Sequence, residues 1–449
     1  MVNVEHLFRY KHNTALTGQN GDYQLQIATE QQNKQDSAYF QGTLARPMET
    51  ARCLRAISIL VGSRYYIPPA MLAKILREAD PVVTASRSML RFEGFSACCS
   101  TYGRLDILEE GFSADKIVPG TTNIDFQAEM RASLSKVRSN SKLEMSFGAD
   151  AFELVADEHS VVERKVKLPL RWIKGFSEVQ AQQLDMSLMF TVSRGDAIRF
   201  FRELPRAKTR HPAWVVAAGK GVRLSHREVK KGVRVKGLER LRVLEDLVQL
   251  SDSLSIYKDS GDSLSAWVLS IGPQRFTLVL SAEPWRGFSG EGKLLTALAT
   301  KNNEATLAKV KSSLVWQEAI APDELASSLG ESPQDVITAL SICASSGLLG
   351  FDVFTGKYFH RVLPFDMSAI EGLSPRLKSA RKLVDDNVVS LTVSGDEICA
   401  EITSSDVVHR VRISSEGDQC TCPWYAKHQS DRGPCKHVLA TYIVAEESK

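Results

Sequence analysis

A chain of 449 residues that is 43% hydrophobic is too long for one ordinary domain and carries enough apolar residues for several packed cores. No window approaches about eighteen uninterrupted apolar residues, and the opening MVNVEHLFRYKHN has no apolar stretch after its charges, so neither a membrane span nor a secretory leader is expected and a cytoplasmic protein is. Net charge is only +3, yet Arg202 to Arg242 holds thirteen Lys or Arg against three Glu, a local excess of +10 that leaves −7 for the rest.

In chain order, residues 1–140 read as an α/β domain. PMETARCLRAISILVG places Ala51, Leu54, Ile57 and Leu60 near helical spacing, and PPAMLAKILREAD predicts a second helix behind its prolines. SMLRFEGFSACCSTYGRLDIL predicts one or two strands, with Cys98 and Cys99 on opposite strand faces and therefore buried structural residues rather than a chelate. Asp106, Glu109 and Glu110 show no spacing beyond ordinary surface charge.

Residues 141–286 read as a β-rich domain. KLEMSFGADAFELVADEHSVVERKVKLPLRW and SLSAWVLSIGPQRFTLVLSAEPW alternate apolar and polar residues around turn signals, and SRGDAIRFFRELP is a short helix with a Ser cap and a Pro stop. The basic segment 202–242 alternates charge with apolar residues, which predicts strands with one basic face. That face is either solvated, a phosphate binder or a site for an acidic protein, and Lys230, Lys231, Arg234 and Lys236 are its nucleic-acid-binding candidates.

Residues 292–366 carry helix-turn-helix spacing: Ala326 in a first helix, Gly330 at the turn, Val336 and Leu340 in a second helix. FDVFTGKYFHRV then supplies two short strands as the wing of a winged-helix-like domain. The exposed candidates on the second helix are Ser332, Gln334, Asp335, Thr338 and Ser341, with only one good base reader among them, so a protein-contact or structural role ranks ahead of DNA reading. On the wing, Lys357, His360 and Arg361 are either phosphate contacts or a solvated face.

Gly287-x-x-x-x-Gly292-Lys293 has the outline of a phosphate-binding loop, but Leu294 stands where Ser or Thr should hold Mg2+, and Glu291 spoils a nucleophile elbow around Ser289. With no His-Glu-x-x-His motif either, no enzyme is expected and no catalytic residue is assigned.

The last segment concentrates the chemistry. NVVSLTV, EICAEIT and VVHRVRI are three period-two runs, and CTCPWYAKHQSDRGPCKH follows them. Cys420 and Cys422 are two apart and can bite one ion, while Cys435 and His437 sit in or just before the first turn of an apolar helix whose N-terminus favours a thiolate. Three thiolates and an imidazole suit one tetrahedral, structural Zn2+, with Lys427, Arg432 and Lys436 to offset the charge. His428 and Cys399 are the rival ligands, and His409 reads as a sheet histidine.

Cys420-x-Cys422, a spacer and Cys435-x-His437 running into a helix after β-strands resemble the SWIM zinc finger over about residues 375–446. The resemblance implies a ββα zinc module and binding to macromolecules. The longer chain is similar to bacterial SWIM proteins encoded beside MoxR-type AAA+ ATPases and von Willebrand A proteins, which makes these the implied partners, with no membrane. The expectation is a multidomain α+β, non-enzymatic zinc-binding adaptor; the alternative is a DNA-binding repair or regulatory factor.

Overall fold

The structure is a computed structural model that describes residues 15–19, 22–26, 39–65, 81–123, 131–132, 134–148, 170–284, 287–288, 304–363, 375–394, 397–414, 417–429 and 433–447. In chain order come β1 (Ala15–Gln19), β2 (Asp22–Gln26), β3 (Phe40–Leu44), α1 (Pro47–Gly62), β4 (Val82–Ser86), β5 (Met89–Phe95), β6 (Thr101–Leu108), β7 (Phe112–Ile117), β8 (Gly120–Asn123) and β9 (Lys142–Phe147). Next are α2 (Leu170–Gln183), β10 (Met186–Ser193), α3 (Arg194–Glu203), β11 (Ala213–Ala218), β12 (Gly221–Ser225), β13 (Val233–Val235), β14 (Ser253–Asp259), β15 (Ser265–Ile271) and β16 (Gln274–Leu280). Three helices and a hairpin follow: α4 (Glu304–Ser313), α5 (Pro322–Leu329), α6 (Pro333–Ser345), β17 (Leu349–Asp352) and β18 (Lys357–His360). The chain closes with α7 (Pro375–Asp385), β19 (Val389–Ser394), β20 (Glu397–Ser404), β21 (Val407–Ser414), β22 (Gly417–Cys420), α8 (Pro423–His428) and α9 (Lys436–Glu447).

The helix expected over PPAMLAKILREAD, residues 149–169, and Gly292 with Lys293 lie outside the described residues. Among the described residues no helix is long and apolar enough to cross a membrane.

Eight antiparallel strands form the largest sheet, in the order β10-β14-β15-β16-β6-β5-β4-β8. Its join is β16 on β6, with Gln274 opposite Ile107 and Leu280 opposite Thr101. This pairing crosses the boundary expected at residues 140 and 141: the two segments share one sheet and one apolar core that reaches from Phe40 to Leu363. Apolar alternation reports that a strand exists and not which distant strand it joins. A second sheet, β1-β2-β9-β3-β7, has β2 and β9 parallel.

The two faces of the large sheet differ sharply. Period-two alternation sends Phe92, Gly103 and Leu105 to the side covered by α1. Gly103 is required there, because a Cβ would stand 2.2 Å from Leu60 Cδ2. The opposite side carries Arg91, Glu93, Arg104, Asp106, Arg275 and Thr277, all of them buried. Arg91 Nε lies 2.5 Å and Arg104 Nε 2.9 Å from the Asp106 carboxylate, so Asp106 is a fully buried ion-pair partner and not ordinary surface charge; Glu109 and Glu110 are exposed. Cys98 and Cys99 also depart from expectation: they sit in the turn between β5 and β6, where Cys99 takes a φ of 54°. Cys99 is buried and Cys98 partly so.

What covers the charged side is the 304–363 segment together with α2. Gly330, at φ 66°, turns α5 into α6 as the spacing predicted. Ser177 Oγ on α2 donates to the Ser345 carbonyl at the end of α6 over 2.7 Å, and Gln180 accepts from the Phe351 N–H. From the hairpin side, Asp352 pairs with Arg104 and, at 3.4 Å, with Arg275. Arg361 pairs with Glu93 and is fully buried, so it is neither a phosphate contact nor part of a solvated face. His360 stacks on Trp316 with ring centroids 4.7 Å apart, and burial holds its pKa below the ordinary value. Of the three wing candidates, Lys357 and His360 are half-buried and Arg361 is fully enclosed.

The basic segment forms the sheet β12-β11-β13. Lys230 and Lys231 are exposed in the loop before β13, whereas Arg234 and Lys236 are half-buried on Glu283, Lys236 Nζ at 2.5 Å. Arg240 is buried and donates to the carbonyls of Ser100, Ser281 and Lys236, which removes it from the basic face; burial draws its pKa down to about 10. The four candidates therefore divide into two exposed cations and two that neutralise a carboxylate.

Candidate metal centre

The C-terminal unit begins as three predicted strands and gains a fourth, in the order β19-β20-β21-β22. Ala400, Ile402, Val411 and Ile413 point to one face and pack with Val438, Leu439 and Ala440 of α9 and with Leu377 and Ala380 of α7. Cys420 is the last residue of β22 and stands opposite Val411. Two residues on, Cys422 caps α8, with Pro423 at the first helical position and the Tyr425 N–H donating to Cys422 Sγ over 3.3 Å. Cys435 does the same for α9: the Val438 N–H donates to its sulfur over 3.5 Å. The spacer between the two ligand pairs thus holds a short helix, and two of the three sulfurs sit at helix starts, where free N–H groups stabilise thiolates.

His437 lies in the first turn of α9 and is 2% exposed, with Nδ1 3.8 Å from Cys420 Sγ. One ligand atom each from Cys420, Cys422, Cys435 and His437 lies within 4.8 Å of every other, and all four residues are buried. Zinc–sulfur bonds of about 2.3 Å in a tetrahedron place the ligand atoms roughly 3.8 Å apart. The set therefore fits zinc, with every position of the tetrahedron taken by protein and none left for a substrate. His437 Nδ1 is the nitrogen that faces the Cys420 sulfur, and Nε2 is buried without a partner among the described residues. Hydrogen bonds from Cys420 and Cys435 hold the Cys422 thiol far below its ordinary range, and the bond to Cys422 pushes Cys420 up.

The rival ligands fall away on position. Cys399 is exposed on the outer face of the sheet, and His428 leans on Trp424 with ring centroids 5.0 Å apart. His409 is a sheet residue as expected, its ring 4.3 Å from that of His437. Of the cations expected to offset the site's charge, Lys436 donates to Ser404 Oγ over 2.8 Å, Lys427 is exposed, and Arg432 lies outside the described residues.

Side chains around the centre hold its elements together. Asp418 on β22 accepts from Tyr442 on α9 over 2.8 Å and, through its carbonyl, from Tyr425 on α8. Burial raises the Asp418 carboxyl pKa. Arg376 of α7 lies 4.7 Å over the Trp424 ring and donates to the Pro434 carbonyl over 2.9 Å. These partners were invisible to motif reading.

No curated protein matches the chain. Among solved structures it is similar to crystalline proliferating cellular nuclear antigen from Entamoeba histolytica at 11% identity and a TM-score of 0.34, over 54% of this chain and 98% of that one, a likeness too slight to bear on function. Residues 409–446 match the SWIM zinc finger family. With the three cysteines and the histidine of that segment gathered within reach of one ion, the chain carries a SWIM zinc finger built for a single zinc.

Proposed function

We propose that the protein is a non-enzymatic, zinc-stabilised adaptor that binds macromolecular partners, proteins ahead of nucleic acid. The observation that carries this reading is the covering of the 304–363 segment. Its three helices and hairpin have the order of a winged helix, but Arg361 is buried on Glu93 and the C-terminal end of α6 lies under α2. The exposed start of α6 offers Ser332, Gln334 and Asp335, a poor set for reading base edges. A closed zinc site adds folding energy and no open coordination position.

The implied partners are a MoxR-type AAA+ ATPase and a von Willebrand A protein. Sedimentation velocity of the full chain with each purified protein, in the presence of ATP, tests this directly. A faster-sedimenting complex that is lost when zinc is chelated supports the adaptor; no complex with either protein removes those partners.

A second reading, DNA binding for repair or regulation, is favoured by one observation: Arg206, Lys208, Arg210, Lys220, Arg223, Arg227, Lys230 and Lys231 are all exposed.

A further inference from the structure

The sheet β12-β11-β13 turns one face to the main core, where Ala213, Val215, Val222, Val233 and Val235 join the apolar cluster of the large sheet. Alternation sends Trp214, Val216, Arg223 and Ser225 to the other face, with Arg234 directly opposite Trp214. Because β12 and β13 flank β11, the connection between them crosses it, and it does so on this outer side. It braces the base of the indole: a Cβ on Gly232 would stand 3.2 Å from Trp214 Cβ and from Val216 Cγ1. Trp214 is otherwise half-buried, and among the described residues no ring or cation stacks on it.

Cations surround this ring. From Arg206 to Lys231 the chain has eight Lys or Arg against one acid, Glu228, and all eight cations are exposed. The antiparallel register brings the start of β11 and the end of β12 to the same end of the sheet, so Arg210 before β11 and Arg227 after β12 lie at the Trp214 end. Lys220, in the turn from β11 to β12, and Lys230 with Lys231, before β13, mark the other end. At about 3.3 Å per residue the strip from Trp214 to Lys220 is roughly 20 Å long. Arg234 is drawn toward Glu283, which leaves the exposed cations to meet an anionic ligand.

We infer that this face binds single-stranded nucleic acid, with a base stacked on Trp214 and the phosphates on the surrounding Arg and Lys, which rests on the nucleic-acid reading above and names its ligand and site. A strip of cations alone would serve a duplex, a single strand or an acidic protein. The indole decides among them. Base faces are hidden within a duplex and open in a single strand, and an aromatic platform set among cations is how sequence-tolerant single-strand binding works. The carboxylates of an acidic protein have no face to stack.

Fluorescence anisotropy of the full chain with a labelled oligothymidylate of about 12 nucleotides tests this, beside a duplex of the same length and with polyglutamate as competitor. The single strand should bind more tightly than the duplex, its affinity falling by about 0.7 log units per tenfold salt for each phosphate contact. Trp214→Leu keeps bulk beneath the β12–β13 connection and removes the aromatic face; it should weaken binding by about fivefold or more and leave the salt slope unchanged. Trp214→Phe should retain most of the affinity, and Lys230→Glu with Lys231→Glu should flatten the slope instead. Duplex bound as tightly as the single strand, or Trp214→Leu binding like wild type, would overturn the single-strand site and leave the nucleic-acid reading standing. Displacement of the oligonucleotide by polyglutamate at equal charge would overturn it in favour of an acidic protein. No binding of either DNA at about 50 mM salt would remove both the site and that reading.

Discussion

Arg361 donates through Nη1 to the Glu93 carboxylate, and neither side chain reaches solvent, although 268 residues separate them in the chain. Tyr102 donates to the same carboxylate over 2.5 Å, and burial raises the Tyr102 pKa well above its ordinary value. The large sheet and the 304–363 segment are therefore joined by charge as well as by apolar contact. Removing one partner leaves the other buried and uncompensated. Glu93→Gln should cost about 3–5 kcal/mol, read as a drop in the urea midpoint of the main core, and Glu93→Gln with Arg361→Met should recover much of it. A single variant as stable as wild type would contradict the pairing.

Asp352 gives this junction its pH dependence. Burial pushes its carboxyl up, but Arg104, Arg275 and Arg91 together pull it well below the ordinary carboxylate range. A depressed folded pKa contributes stability that is present above the unfolded value, about 3.9, and is lost as pH falls further. Hydrogen exchange at the β17 and β18 amides, corrected for intrinsic rate, should be level from about pH 5 to 8 and quicken only below about 4. Asp352→Asn should quicken it throughout. Loss of protection already near pH 6 would show that another group holds the junction.

The split within the basic segment predicts unequal charge reversals. Lys230→Glu with Lys231→Glu changes only exposed charge and should leave melting within about 0.5 kcal/mol of wild type. Arg234→Glu with Lys236→Glu sets two acids against Glu283 and should destabilise measurably. For duplex DNA, the adaptor reading expects weak binding that falls by about 0.9 log units per tenfold salt for each phosphate contact and largely disappears near 150 mM. The first pair should flatten that slope. Sequence-selective binding that survives physiological salt would favour the DNA-binding reading.

Legibility followed the range of the interaction. Helix α1, helix α3 with its Ser193 cap, and the β15–β16 hairpin around Gly272 were plain because their signals lie within a few residues. The finger's ligands were plain because two short spacings carried the chemistry. The β16–β6 join was not, since it links residues some 170 positions apart. Nor were the buried charges: Arg91, Glu93, Arg104 and Asp106 alternate with apolar residues, as on an ordinary half-exposed strand, and only the segment that lands on them makes that face an interior. Helix α8, six residues long, is too short for periodicity, though Cys422 before Pro423 is a cap signal in its own right.

Metal and local fold are linked in the C-terminal unit. Structural zinc contributes about 10–16 kcal/mol in finger peptides, and the apolar cluster behind β19–β22 is separate from the main core. Chelation should open residues 375–447 to protease while the sheet and the 304–363 segment stay resistant, as mass spectrometry of the fragments would show. Uniform digestion of the chain would contradict a separately folding unit.

Zinc content of purified variants tests the assignment of the centre most directly. Wild type, Cys399→Ser and His428→Ala should each hold about one zinc per chain, while Cys422→Ser, Cys435→Ser and His437→Ala lose most of it. Full zinc in Cys435→Ser, or its loss in His428→Ala, would contradict a site made of Cys420, Cys422, Cys435 and His437.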